Sequence, residues 1–414
     1  MDVTISPSRI SGTVMAPPSK SYMQRAIALA VLSHQPTVIS NLSECNDCRA
    51  AIEIARSLGC NVELGNGEMT VCPPAGALSA KHLHCGESGL ALRMFTPIAS
   101  LLDTEVEMTG EGSLTQRPVG FIESTLKQLG VNVQTTNGLL PIHVKGPMKG
   151  GDATVDGSIS SQFLTGLLIV LPTLRNGTML TVNNLTSRPY IDMTMQIISD
   201  FGASVKHFNY EQFAISGNQT YNCPRYRVEG DWSGAASLIV SAAIAGTMTI
   251  KGLNQNSAQA DKAILGVLSL TGTIYHFVGD ELTIEHNRHL RSFYFDATNC
   301  PDLFPVLASL AANCTGQSTI KGVHRLIHKE SDRALAIKEE LGKLGVKIII
   351  DDDDMHIYGG QIAGGQASAR NDHRMAMALA NCALNAKQPV TILGAECVSK
   401  SYPDFFEALG SVMI

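Results

Sequence analysis

"SLGCNVEL" at residues 57–64 and "QLGVNVQT" at residues 128–135 share one local design: an apolar helix ends on Leu-Gly, and a short strand follows at once. The design returns as "DFGASVKH" (200–207), "LTGTIYHF" (270–277), "KLGVKIII" (343–350) and "ALGSVMI" (408–414). The shared glycines, Gly59, Gly130, Gly202, Gly272, Gly345 and Gly410, stand 71, 72, 70, 73 and 65 residues apart. A glycine there suits a left-handed helix C-cap that turns the chain into a strand. After four of the first five copies, a turn with Asn, Gly or Asp leads to a second strand, as in "VELGNGEMTVC", which is hairpin chemistry. Helix starts keep the same period, at Ser19, Gly86, Ser160, Asp231, Cys300 and Asn371, each followed by an apolar run. The repeat is a strand, helix, strand, helix and hairpin, and it occurs six times.

Six such units make two groups of three, and 414 residues exceed what one core ordinarily organises. The sixth copy ends at Ile414 without its last strand, while "DVTIS" near the N-terminus alternates like a strand and has no helix of its own. Residues 1–12 are therefore expected to join 229–414 as a C-terminal domain, with 13–228 inserted as an N-terminal domain. The chain would cross between them near residues 13 and 228, a double connection that suits a hinge. The fold class is α/β: two domains, each of three βαβαββ repeats around a pseudo-threefold axis. Equivalent helix starts then share one face of each domain, and their positive dipole ends make an anion-binding interdomain cleft.

Composition narrows the function. A net charge of -6, with 16% charged residues, argues against a general binder of nucleic acid or of a membrane surface. No apolar run reaches the length of a membrane span. "MDVTISPSRI" has no apolar signal core after basic residues, so a cytoplasmic location is expected. Ten scattered cysteines suit reduced thiols. Cys45 and Cys48 form one Cys-x-x-Cys, but "HLHC" at 82–85 is a poor second ligand pair for zinc. "DDDD" at 351–354 lies where a polar hairpin tip is expected, and no metal is assigned.

The motifs fall at the helix starts. "APPSKSYMQRA" (16–26) opens a helix with Lys20 and Arg25, where a helix dipole prefers carboxylates, so an anion is expected there. Ser21 and Gln24 fit a capping box, which leaves Lys20 and Arg25 unexplained. "GSISSQFLTG" places Ser160, Ser161 and Gln162 at another start, and "TSRPYID" offers Ser187 and Tyr190. In "GSLTQRPVG", Arg117 precedes a proline that would begin a helix. "HRLIHKESDR" packs Arg325, His328, Lys329, Glu330, Asp332 and Arg333 together; a solvated helix face with i,i+4 pairs is the plain alternative. "ARNDHRMAMALA" brings Asp372, His373 and Arg374 to the sixth start, and "VSKSYPDFF" adds Lys400. Asp302 in "NCPDLFPVLASLAA" is a lone acid ahead of an apolar helix: a cap, or a general base.

Taken in order, "PSKSYMQRA", "GSISSQFLTG", "TSRPYID", "VEGDWSGAA", "HKESDR", "NDHRMAMA" and "SKSYPDFF" resemble the 5-enolpyruvylshikimate-3-phosphate synthase family of enolpyruvyl transferases over nearly the whole chain. The resemblance implies an inside-out α/β barrel in each domain. It implies transfer of the enolpyruvyl group of phosphoenolpyruvate to the 5-hydroxyl of shikimate 3-phosphate, with release of phosphate, through a tetrahedral intermediate, without metal or cofactor, in a monomer. It places Lys20, Ser21, Arg25, Ser160, Ser161, Gln162, Ser187, Tyr190, Asp302 and Lys329 on shikimate 3-phosphate. Lys20, Gly89, Arg117, Gln162, Arg333, His373, Arg374 and Lys400 fall on phosphoenolpyruvate. Asp302, Glu330 and Lys20 would move the protons. One departure stands at the second helix start: the family commonly has Asn-Ala-Gly-Thr, and here "GESGLALRM" puts Glu87, Ser88, Gly89 and Leu90, with Arg93 a turn later as a partner for Glu87. It bears on phosphoenolpyruvate affinity, not on the reaction.

Three other readings compete. The sister transferase acting on UDP-N-acetylglucosamine usually carries a reactive cysteine before its Arg-Pro, and "GEGSLTQRP" has none. A non-catalytic sugar-phosphate binder would draw on Glu87 and Leu90 but need not keep Lys20, Asp302 and Glu330. RNA-end-processing enzymes of similar units would want a basic stripe, which this chain lacks.

Overall fold

The computed structural model describes residues 1–286, 288–327 and 329–414, so His328 lies outside the described residues. The chain divides into two compact units, Lys20–Val228 and Met1–Ser19 with Glu229–Ile414. The first crossing therefore falls after Ser19, not near residue 13. The reason is a strand: Ile10–Met15 pairs in parallel with Gly246–Lys251 along its whole length, which keeps residues 13–15 in the second unit.

Among the described residues each unit has six α-helices, two per repeat. Lys20–Val228 contains α1 (Lys20–Val31), α2 (Asn46–Ser57), α3 (Gly89–Ala99), α4 (Ile122–Gln128), α5 (Ser161–Val170) and α6 (Arg188–Asp200). The other unit contains α7 (Trp232–Ala245), α8 (Ile264–Thr271), α9 (Phe304–Ala312), α10 (Arg333–Lys343), α11 (His373–Leu384) and α12 (Phe405–Gly410). The first helix of each repeat is apolar nearly all round, and such a helix must be buried on every side. Every residue of α3, α9 and α11 is buried. In the second unit α7, α9 and α11 pack on one another. They are also stitched by side chains: Ser241 Oγ donates to Asn381 Oδ1 at 2.6 Å, and Asn381 Nδ2 donates to Ser309 Oγ at 3.3 Å. One polar residue from each of the three repeats is thus satisfied inside an apolar core.

The sheets are six separate mixed sheets, three per unit, with no closed barrel among the described strands. A typical one runs His82–His84 parallel to Val106–Thr109, which is antiparallel to Leu139–Lys145, itself in a hairpin with Asn132–Thr136. All of the first five copies make that hairpin. The third uses Asn209 and Tyr210, both at positive φ, so an asparagine carries a turn that has no glycine. The strand missing from the sixth copy is Val3–Ile5, antiparallel to Val390–Leu393.

Five of the six repeat glycines, Gly59, Gly130, Gly202, Gly272 and Gly345, have the expected positive φ. Gly410 differs: it is the last residue of α12, with a serine after it as C-cap. The helix starts are placed by their caps. Ser160, Asp231 and Asp372 accept from backbone amides at the N-termini of α5, α7 and α11, and Ser88, not Gly86, caps α3. Cys300 leads first into a 3-10 turn, Pro301–Leu303, before α9.

Candidate active site

In the Lys20–Val228 unit, α1 opens with Lys20 and has no acid in its first turn. The acid comes from α2: Asp47 Oδ2 accepts from Lys20 Nζ at 2.9 Å, with both side chains largely buried. Gln24 does not form the capping box, because Ser21 already lies inside α1; its Oε1 accepts from Ser88 Oγ at 3.1 Å instead.

Arg25 lies one turn further on and is 1% exposed. Its Nε donates to Thr194 Oγ1 at 3.0 Å, Nη1 to the Ser21 carbonyl at 2.9 Å, and Nη2 to the Tyr190 carbonyl at 3.3 Å and to Thr165 Oγ1 at 3.4 Å. All four acceptors are neutral. Burial pushes the guanidinium pKa down to about 10. A buried cation without a counter-ion is costly, and an anionic ligand relieves that cost. The elements that hold Arg25 also deliver Ser160, Ser161 and Gln162 at the start of α5 and Ser187 ahead of α6. Ser187 takes a left-handed backbone, φ 57, at a buried N-cap.

A second convergence surrounds Gly89, the first residue of α3. A Cβ there would lie 2.8 Å from Arg117 Nη1, 3.0 Å from Arg93 Nη1 and 3.7 Å from Gln162 Oε1. Arg93 Nη1 donates to Gln162 Oε1 at 2.9 Å. Glycine is what lets two guanidinium groups approach one helix N-terminus. Arg117 follows a 3-10 turn, Gly112–Gln116, in extended conformation, and α4 begins only at Ile122; the expected helix start at Pro118 does not form. Glu87 accepts from the Ser113 amide at 3.3 Å, at the base of that turn. Arg93 is the residue that sequence reading undervalued. Its signal was its position four residues after Gly89, which puts it on the same helix face.

The other unit brings Asp302, Lys329, Glu330 and Arg333 together with Asp372. Arg333, 1% exposed, donates through Nε to Asp372 Oδ2 at 2.8 Å, through Nη1 to Asp302 Oδ1 at 2.8 Å, and through Nη2 to Glu330 Oε2 at 2.6 Å. Lys329 Nζ reaches the same Asp302 oxygen at 3.2 Å. Arg374 Nη2 stands 4.0 Å from Asp302 Oδ2, and its Nη1 donates to the Ser233 carbonyl at 2.7 Å. The "HKESDR" stretch is therefore no solvated helix face. Burial pushes the Asp302 carboxyl up, but Lys329, Arg333 and Arg374 outweigh it and hold the group well below the usual carboxylate range. Burial pushes the Lys329 ammonium down. His373, the first residue of α11, is buried, and Lys400 Nζ donates to the Asn371 carbonyl at 3.0 Å.

All ten cysteines are free thiols, and no described helix is long and apolar enough to cross a membrane.

The architecture and these constellations have counterparts. A profile of the EPSP synthase family, EPSP synthase (3-phosphoshikimate 1-carboxyvinyltransferase), matches residues 5–409. A 3-phosphoshikimate 1-carboxyvinyltransferase of Clostridium kluyveri is 38% identical over 414 residues, covering 99% of this chain and 97% of its own. One from Clostridium perfringens is 36% identical over 419 residues, covering 99% of both. The solved EPSP synthase of Acinetobacter baumannii matches with a TM-score of 0.84 at 25% identity, covering 100% of this chain and 98% of the other. The enolpyruvyl transferase NikO from Streptomyces tendae, 19% identical with a TM-score of 0.80 over 99% of this chain and 96% of its own, shares the fold. The chain belongs to the EPSP synthase family, the 3-phosphoshikimate 1-carboxyvinyltransferases, and is an enolpyruvyl transferase of the shikimate pathway.

Proposed function

We propose that this chain joins phosphoenolpyruvate to the 5-hydroxyl of shikimate 3-phosphate, in the cytoplasm and as a monomer, with the three clusters described above supplying its substrate contacts. Arg25, Ser21, Ser160, Ser161, Gln162, Ser187 and Tyr190 hold shikimate 3-phosphate, and Lys20 reaches both substrates. Gly89, Arg117, Gln162, Arg333, His373, Arg374 and Lys400 hold phosphoenolpyruvate, with Arg93 added to them. The reaction needs both sets at once. The observation that carries this reading is Asp302 lying against three cations, Lys329, Arg333 and Arg374.

Held that way, Asp302 is a weak base. The anionic groups of phosphoenolpyruvate draw on Arg333 and Arg374, and Asp302 gains basicity as they do so. It then takes the proton of the 5-hydroxyl while the oxygen attacks the enol carbon. Glu330, with Lys20, gives a proton to the methylene carbon, which completes the tetrahedral adduct. Return of a proton from the methyl group and breaking of the carbon–oxygen bond to phosphate release the products. Removing such a proton-transfer group ordinarily costs ~10²–10⁴-fold in rate.

The test measures phosphate release from phosphoenolpyruvate with shikimate 3-phosphate, and in parallel with UDP-N-acetylglucosamine, for wild type and Asp302→Asn. Release with shikimate 3-phosphate alone, lost in the variant while calorimetric binding of shikimate 3-phosphate persists, is the expected outcome. Unchanged turnover in Asp302→Asn removes Asp302 from the role.

A further inference from the structure

Asp261 is a carboxylate that the reaction above does not use. It sits in a 3-10 turn, Ala260–Ala263, and is 1% exposed. One oxygen accepts from Ser233 Oγ; the other, Oδ1, is buried with no hydrogen-bond partner. Ser233 lies in the first turn of α7, where its amide donates to Asp231 Oδ1 at 2.8 Å. The same Ser233 offers its carbonyl to Arg374 Nη1 at 2.7 Å. Arg374 Nε is also buried without a hydrogen-bond partner. Two unsatisfied buried atoms of opposite character, one on a carboxylate and one on a guanidinium, thus flank one serine. Buried polar atoms left that way are rare and ask for an explanation.

We propose that Asp261 is a positioning residue for phosphoenolpyruvate capture: through Ser233 it fixes the guanidinium of Arg374, and its own charge competes with the substrate for that guanidinium. The inference rests on the assignment of Arg374 to phosphoenolpyruvate made above. The charged and titratable groups around Asp261 are Arg374 on α11, Asp302 ahead of α9, Asp231 at the cap of α7 and Cys300 before Asp302; α8, which follows directly, has none. Burial pushes the Asp261 carboxyl up, Asp302 pushes the same way, and Arg374 with the Ser233 bond pulls back, leaving it at about 7. Above that pH the ionised carboxylate draws on Arg374. Below it the neutral acid still holds Ser233 in place and leaves the guanidinium to the substrate.

The experiment measures KM for both substrates and kcat from pH 6 to 8.5 in wild type, Asp261→Asn and Ser233→Ala. Asparagine is isosteric and can keep the Ser233 bond, so it removes charge and little else. The KM for phosphoenolpyruvate of wild type, taken relative to Asp261→Asn, is expected to rise roughly three- to tenfold across the range, the scale of one partly screened charge interaction. The KM for shikimate 3-phosphate follows the same course in both, and kcat moves less than KM. Ser233→Ala raises KM for phosphoenolpyruvate at every pH and keeps the pH dependence. Parallel wild-type and Asp261→Asn profiles, or equal effects on both substrates, overturn the proposal. Arg374→Gln separates the two levels: if it leaves KM for phosphoenolpyruvate unchanged, the assignment of Arg374 fails, whatever Asp261→Asn does.

Discussion

Arg25 and Arg333 are each 1% exposed and meet opposite surroundings. Arg25 has neutral acceptors from α1, α5 and α6; Arg333 has three carboxylates. Removing them should therefore have opposite consequences. Arg25→Gln gives up a charge-assisted contact and is expected to weaken shikimate 3-phosphate binding by ~2–3 kcal/mol, read by calorimetry. Its denaturant midpoint without ligand stays at or above wild type, because no anion is left behind. Arg333→Gln strands Asp372, which is 0% exposed, and is expected to cost ~3–5 kcal/mol in unfolding experiments. Equal destabilisation by the two would show that Arg25 has a counter-ion after all. In the sequence both were simply basic residues near helix starts. What the motifs could not say is which arginine already has its anions, since Asp302 and Asp372 lie far from "HKESDR" along the chain.

Helix α10 begins at Arg333 and ends beside Glu340, whose carboxylate is the joint between this helix and the strand Gly365–Ser368. Glu340 Oε2 accepts from the Ser368 amide at 2.8 Å and from Lys343 Nζ at 2.7 Å, and Oε1 accepts from Arg370 Nε at 2.6 Å. Burial pushes this carboxyl up, but Lys343, Ser368 and Arg370 outweigh it and hold its pKa below the ordinary value. A carboxylate with a lowered folded pKa contributes stability above the unfolded value of ~4.3, and that contribution is lost as pH falls below it. Glu340→Gln is expected to cost ~1–3 kcal/mol near neutral pH and to make stability less sensitive to pH below about 4.5. Unfolding curves at pH 7 and pH 4 test both; an equal loss at the two would remove the charge from the explanation. Elements were where the sequence spoke most clearly. Glycines after Leu, Phe or Thr mark five left-handed caps because only glycine takes φ near 90° without strain. Serine and aspartate caps mark the starts of α3, α5, α7 and α11. Two of the misreadings fall where a short 3-10 turn intervenes, after Cys300 and before Arg117, because its pattern is too brief to show a period.

At the scale of the whole molecule, the charge on the two sets of site residues decides what can bring them together. Sequence motifs alone supply Lys20, Arg25, Arg117, Lys329, Arg333, Arg374 and Lys400 against Asp302 and Glu330, an excess large enough to hold two empty half-sites apart by repulsion. The structure alters that balance. Asp47 neutralises Lys20, and Asp372 shares Arg333. With Arg93 and Glu87 counted, the Lys20–Val228 set has four cations and two carboxylates, and the other has four cations and three. Two weakly positive surfaces repel little at physiological salt, where charges are screened beyond ~8 Å. Neutralising those charges is then a small effect, and ligand contacts to residues of both sets supply what drives any compaction. Small-angle scattering tests this. Shikimate 3-phosphate with phosphoenolpyruvate should reduce the radius of gyration, and saturating inorganic phosphate should not. The compaction should vanish in Arg25→Gln at substrate concentrations that saturate wild type. Equal compaction with inorganic phosphate would make charge neutralisation the driving term. The boundary between the two units was only partly legible in the sequence. A strand's partner is chosen by the sheet it completes, and Ile10–Met15 completes one built from residues more than two hundred positions away.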